Sequence, residues 1–202
     1  AQLHVFSSDT TDQVIIENPD AGLDTGPDVV LYRNSASPAA NDNLGNLEYR
    51  GKDDAGNIHA YAQITGGIKV ATNGTEDGIL DLMSSAAGAT ASRVRLFGSN
   101  VGISESAPAY PLHVTYSAAA GTALQVESKL VDAASAGDIT LYHHRNGAAG
   151  QDNDEISTVY FRSNNDAGTP AAIDYAAIHA SIVDASSTTE DGKLELQVQA
   201  AG

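Results

Sequence analysis

The sequence predicts an all-β protein built of two tandem antiparallel modules, each of β-sandwich or β-prism type. Three observations carry this expectation. Apolar and polar residues alternate with period two along many short segments. Asx- and Gly-rich turns separate those segments. The whole pattern then occurs a second time in the same order.

The alternation is cleanest in Lys193-Leu194-Glu195-Leu196-Gln197-Val198-Gln199. Leu194, Leu196 and Val198 take one side, and the lysine, glutamate and glutamines take the other. Arg93-Val94-Arg95-Leu96 follows the same scheme, and Ile58, Ala60, Ala62 and Ile64 alternate with His59, Tyr61 and Gln63. Further strands are expected at residues 14–17, 29–33, 47–50, 79–83, 139–143 and 156–162. No segment shows a helical stripe. The Ala-rich run 118–120 lies among Ser and Gly and is expected to be loop.

The turns have a local cause. Asp53-Asp54-Ala55-Gly56 and Asn164-Asn165-Asp166-Ala167-Gly168 sit between strands. Asx side chains bond their own backbone, and Gly supplies positive φ. Glu76-Asp77-Gly78 and Glu190-Asp191-Gly192 each end in the Asp-Gly pair expected of a tight hairpin.

The repeat emerges by matching Leu3-His4-Val5 to Leu112-His113-Val114, Leu31-Tyr32 to Leu141-Tyr142, and Leu47-Glu48-Tyr49-Arg50 to Val159-Tyr160-Phe161-Arg162. Asp54-Ala55-Gly56 matches Asp166-Ala167-Gly168, and Tyr61-Ala62-Gln63-Ile64 matches Tyr175-Ala176-Ala177-Ile178. Glu76-Asp77-Gly78 and Ala86-Ala87-Gly88 match Glu190-Asp191-Gly192 and Ala200-Ala201-Gly202. The offset grows in one direction only, as small loop insertions between strands of fixed length would make it. The expected organisation is copy one at 1–88, a connector or neck at 89–111, and copy two at 112–202. The chain starts and stops at matching points of the module, and is expected to be a window on a longer array.

Composition argues against a self-sufficient module. There is no Cys, no Trp and only three Phe among 202 residues. Modules this small bury a modest fraction of their surface, and small scaffolds without disulfides or a rich core lean on oligomerisation. A partner chain is expected to complete the core. The net charge of −16 is spread over both copies, which gives a solvated, self-repelling surface. Without a basic patch, nucleic acid is not an expected partner. No run approaches the ~18 apolar residues of a membrane helix, so no membrane insertion is expected.

No chemistry-bearing constellation stands out. His143-His144 is the only paired histidine, and adjacent strand residues point to opposite faces, so they chelate one ion poorly. Asp53-Asp54 and Asp152-Asn153-Asp154-Glu155 lack the spacing of a calcium loop. Gly66-Gly67 lacks the surroundings of a phosphate loop. Tyr49/Phe161 and Tyr61/Tyr175 recur in both copies, which suits core or interface residues. No catalytic, cofactor-binding or metal-ligating residue is assigned, no cofactor is expected, and the chain reads as a non-enzyme.

The connector carries the most specific signal. Ser92-Arg93-Val94-Arg95-Leu96-Phe97-Gly98-Ser99-Asn100-Val101-Gly102-Ile103-Ser104, followed by Pro108 and Leu112-His113-Val114, resembles a segment of bacteriophage tail fibres and related virion appendages. The modules resemble that family too, through Tyr49, Asp54-Ala55-Gly56, Tyr61-Ala62-Gln63-Ile64 and Glu76-Asp77-Gly78-Ile79-Leu80. One departure is plain: the family's Gly-Ile-Gly-Thr reads Gly102-Ile103-Ser104-Glu105 here, which puts the local turn in question. The resemblance implies an intertwined homotrimeric fibre on the virion surface, contacting neighbouring virion proteins and, through its tip, a host receptor or glycan. In such a fibre Val101-Gly102-Ile103 and Leu112-His113-Val114 are candidates for a narrow neck, with Gly102 allowing close backbone approach. The function expected is that of a structural shaft segment for host attachment. Alternatives from other classes are a cell-surface adhesin or extracellular filament subunit, and a polysaccharide-degrading tailspike.

Overall fold

The computed structural model describes residues 3–23, 26–117, 122–128 and 138–200. Within them the protein is all-β: nine strands and no helix. The chain divides into two units, Ala1–Ala123 and Leu124–Gly202.

The first unit holds one six-stranded sheet in sequential order: β1 (Asn43–Lys52), β2 (Ile58–Val70), β3 (Asp77–Ala86), β4 (Ala89–Phe97), β5 (Asn100–Ile103) and β6 (Leu112–Val114). Neighbours through β5 are antiparallel, whereas β5 and β6 are parallel. The 89–111 segment expected to connect two modules thus supplies β4 and β5. Val101-Gly102-Ile103 pairs directly with Leu112-His113-Val114. The intervening loop is pinned at several points: Asn100 Nδ2 donates to Pro108 O at 2.8 Å, and Thr115 Oγ1 donates to Glu105 Oε2 at 2.7 Å. Gly102 is buried, and a Cβ there would overlap the Glu105 carbonyl oxygen. Ser104, where the turn was in question, has φ 53°. The backbone is left-handed there, with a side chain in a region that disfavours one.

The second unit holds a three-stranded antiparallel sheet of β7 (Glu155–Asn164), β8 (Ala172–Asp184) and β9 (Asp191–Val198). Its register reproduces that of β1–β3. Leu47 opposes Ile64 and Ile64 opposes Leu82; Val159 opposes Ile178 and Ile178 opposes Leu196. The bulges recur as well. Leu44, Tyr61 and Lys69 are skipped in the first ladder, and Ile156, Tyr175 and Val183 in the second. Bulges are specific features that set twist and register, so three at matching positions define one local geometry built twice.

Each unit holds one sheet, and among the described residues its strands touch only their hydrogen-bonded neighbours, apart from β2 with β4. Two sequence expectations need correction. Residues 14–17, 29–33 and 139–143 have strand-like composition but join no ladder; Arg33 and His143 instead meet the starts of β1 and β7 by side chain, at Asn43 O and Glu155 O. Finally, Asp77-Gly78 and Asp191-Gly192 lie inside β3 and β9 rather than at hairpin tips. The turns fall earlier, around Gly74 (φ 85°) and Thr188 (φ 80°), where Glu76 and Glu190 carboxylates accept from the backbone N–H of Gly74 and Thr188. The expected loop at 118–120 and the Ala201-Gly202 part of the repeat lie outside the described residues.

The tightest turns follow backbone chemistry. Ala87 (φ 49°) and Gly88 (φ 82°) join β3 to β4, the doubly left-handed pair that matches strand twist. Asp53 Oδ1 accepts from the N–H groups of Ala55 and Asn57 at 3.0 and 2.7 Å, closing the β1–β2 loop. Asn165 Oδ1 does the same for Ala171 N at 2.8 Å.

Candidate functional site

Directly paired residues of a sheet share a face, so the registers define what each face presents. One face of the first sheet carries an unbroken ladder across all six strands: Leu47, Ile64, Leu82, Val94, Ile103 and Val114. Beside it runs a second row, Gly45, Gly66, Leu80, Leu96, Val101 and Leu112. In the second unit Val159, Ile178 and Leu196 make the equivalent ladder, flanked by Phe161, Ala176 and Val198. At about 4.8 Å between strands, the six-stranded ladder is an apolar band roughly 24 Å across.

Leu31 packs over the Gly45 end of this band, but most of its large side chains stay open. Leu47, Leu80, Leu82, Leu96, Leu112 and Val114 are all exposed. Ala177 is the only buried hydrophobic side chain among the described residues, at 7 % exposure, and none of the large side chains is fully buried. The chain exposes 16209 Å², whereas two separate compact units of half its mass would expose about 11,000 Å². A hydrophobic patch of this extent marks an interaction surface. Gly66-Gly67 belongs to it, since Gly66 lies on the band facing Gly45 and Leu80.

The opposite face is mixed: Ile79, Met83 and Phe97 share it with a charged pair. Asp81, 6 % exposed, is gripped by Arg95 from β4: Nε donates to Oδ1 and Nη2 to Oδ2, each at 2.7 Å. Ser92 Oγ adds a third bond at 2.7 Å, and Arg95 Nη1 reaches Ser106 O at 2.8 Å. Burial pushes the Asp81 carboxyl up, but Arg95 and Ser92 outweigh it and hold it below the ordinary carboxylate value. The same bonds raise the Arg95 guanidinium. Sequence reasoning placed Arg95 on the polar side of β4 but did not find Asp81. The only available signal was its position between Leu80 and Leu82, which puts it on the opposite face from them.

The residues with chemical character serve local structure. His143 Nδ1 lies 2.8 Å from Glu155 O, while His144 rests beside the Tyr142 ring at 5.6 Å. Both border a cleft of ≈ 410 Å³ in the second unit. Asp152 Oδ1 accepts from Ala185 N at 2.9 Å. Asp154 accepts from Gln151 N at 2.9 Å and pairs with Arg145 at 3.3 Å. The first unit repeats this last arrangement with Asp42, Ala39 N and Arg33. Asn41 and Asn153, at φ 69° and 68°, bend the chain identically before each pair. Among the described residues no three His, Cys, Asp or Glu side chains converge as a metal site would require. Tyr61 and Tyr175 occupy matching bulges, and Tyr49 and Phe161 oppose Ala62 and Ala176 on the apolar faces. The candidate functional feature is accordingly a surface rather than a pocket. Compared with known proteins, the chain matches no family model, and no curated protein matches it significantly.

Proposed function

We propose that this chain is a shaft segment of a homotrimeric fibre, of the kind that projects from a virion and spaces a receptor-binding tip from the particle. The observation that carries the reading is the exposed ladder Leu47, Ile64, Leu82, Val94, Ile103 and Val114. A single-layer sheet with a continuous apolar band on one face needs a second layer. Closed symmetry supplies it economically, because copies of one chain bring identical faces together. Three sheets, each turning its ladder toward a common axis, form a prism with an apolar interior and the Asp81–Arg95 pair on its outer walls. Covering a side chain such as Leu82 contributes about 2 kcal/mol. The matched registers of β1–β3 and β7–β9 suit an array of like modules along that axis, and the sequence resemblance to phage fibres points the same way. The role is mechanical: length, stiffness and attachment to neighbouring virion proteins, without catalysis.

Electron microscopy of the purified chain tests this. Rods with a threefold cross-section are the expected image. Compact particles without threefold symmetry would overturn the proposal.

A further inference from the structure

The strand β9 ends the second sheet with one edge unpaired among the described residues, and the first sheet shows what such an edge accepts. The two ladders correspond residue for residue: Leu80, Asp81 and Leu82 oppose Gly66, Thr65 and Ile64, as Leu194, Glu195 and Leu196 oppose Ala180, His179 and Ile178. In the first sheet the outer edge of β3 is covered by β4, which sets Leu96, Arg95 and Val94 against Leu80, Asp81 and Leu82. The cover lowers exposure: Leu80 and Leu82 are 37 % and 44 % exposed, whereas Leu194 and Leu196 are 70 % and 77 %. Glu195 stands where Asp81 receives the Arg95 fork. Its carboxylate is held for now by Lys193 of its own strand, at 2.7 Å.

We infer that the free edge of β9 is a strand-acceptor site for a β4-type segment: an extended, antiparallel strand with an arginine opposite Glu195 and aliphatic side chains opposite Leu194 and Leu196. Adding a strand satisfies the unpaired backbone groups of an edge, and side-chain pockets then set specificity. The arginine supplies charge complementarity and a two-bond fork onto the carboxylate. The chemistry of the occupant is that of Arg93-Val94-Arg95-Leu96. A second β9 would offer Glu195 a lysine at most, Lys193, and so could not repeat the two-bond arginine fork.

The test is a labelled synthetic peptide with the sequence of residues 89–103, titrated with the full chain and followed by fluorescence anisotropy. Saturable binding is expected. Replacing the second of the peptide's two arginines (Arg95→Ala) should weaken it about tenfold, and so should Glu195→Ala in the chain. Pairing Glu195→Arg chain with Arg95→Glu peptide should restore it. The peptide variant needs no change to the chain, so misfolding cannot mimic the loss. Absence of saturable binding overturns the inference. So does binding indifferent to both arginine and Glu195, which would mean that the peptide merely displaces β4. A chain whose β9 edge is already filled by a second copy overturns it as well, and would show as concentration-dependent self-association abolished by Glu195→Arg.

Discussion

Arg95 grips Asp81 across the β3–β4 ladder through two parallel bonds of 2.7 Å, on the opposite side of the sheet from the aliphatic ladder. The pair ties together two strands from segments that looked separate in the sequence, a module end and a connector. It therefore belongs to the sheet's register as much as to its electrostatics.

Removing the carboxylate should be costly. Asp81→Ala leaves the half-buried Arg95 charge without its fork and is expected to destabilise the first unit by about 3 kcal/mol, read as a lower denaturation midpoint. Replacing both partners by Leu and Met should bring stability back to within about 1 kcal/mol of the parent, since no charge is then left unpaired. The pH dependence follows from the lowered Asp81 carboxyl. Its folded pKa lies below the unfolded value of about 4, so the unfolded chain binds the proton more tightly. The pair's contribution is complete above that unfolded value and disappears as pH falls through the folded one. Asp81→Asn should flatten this acid limb in thermal melts between neutral pH and strong acid.

Two strained turns should respond favourably to glycine. Thr188 holds φ 80° at the position where the first unit has Gly74, and Ser104 holds φ 53°. The left-handed region costs a non-glycine residue about 1–2 kcal/mol, while glycine adds roughly 0.5–1 kcal/mol of unfolded-chain entropy. Thr188→Gly is expected to stabilise by about 1 kcal/mol and Ser104→Gly by less, measured by chemical denaturation. Gly102→Ala should do the opposite, because its Cβ would meet the Glu105 backbone, which the β5–β6 pairing holds in place.

The two faces of the first sheet should answer differently to charge. Leu82→Lys puts an ammonium in the middle of the apolar ladder and is expected to dissociate the proposed trimer. Gln63→Lys, on the opposite face beside Glu48, should leave it intact. Sedimentation velocity of the two variants side by side checks this contrast.

Much of the β architecture was legible because alternation survives in the sequence of each strand: β1 through β4, β7 and β9 fall on segments whose period-two pattern announces them. What failed has a common cause. Residues 14–17, 29–33 and 139–143 carry the same composition, but a strand needs a partner edge, and pairing is not written locally. The Asp-Gly pairs suggested tight hairpins, yet the bulges at Lys69 and Val183 shift the ladder and move the turns to Gly74 and Thr188. The parallel β5–β6 pair joins segments across a loop, and no local pattern specifies it. For the candidate surface, the identity of each strand's apolar side could be read directly. That all six sides align into one band depends on register, as does the meeting of Asp81 with Arg95.

In the proposed fibre, copies of the same chain cover the exposed ladder, and the most direct test is the mass of the folded protein in solution. Light scattering on the eluting peak should give three times the 20.8 kDa chain mass, with β-rich circular dichroism. A cooperatively folded species at the mass of one chain would contradict it.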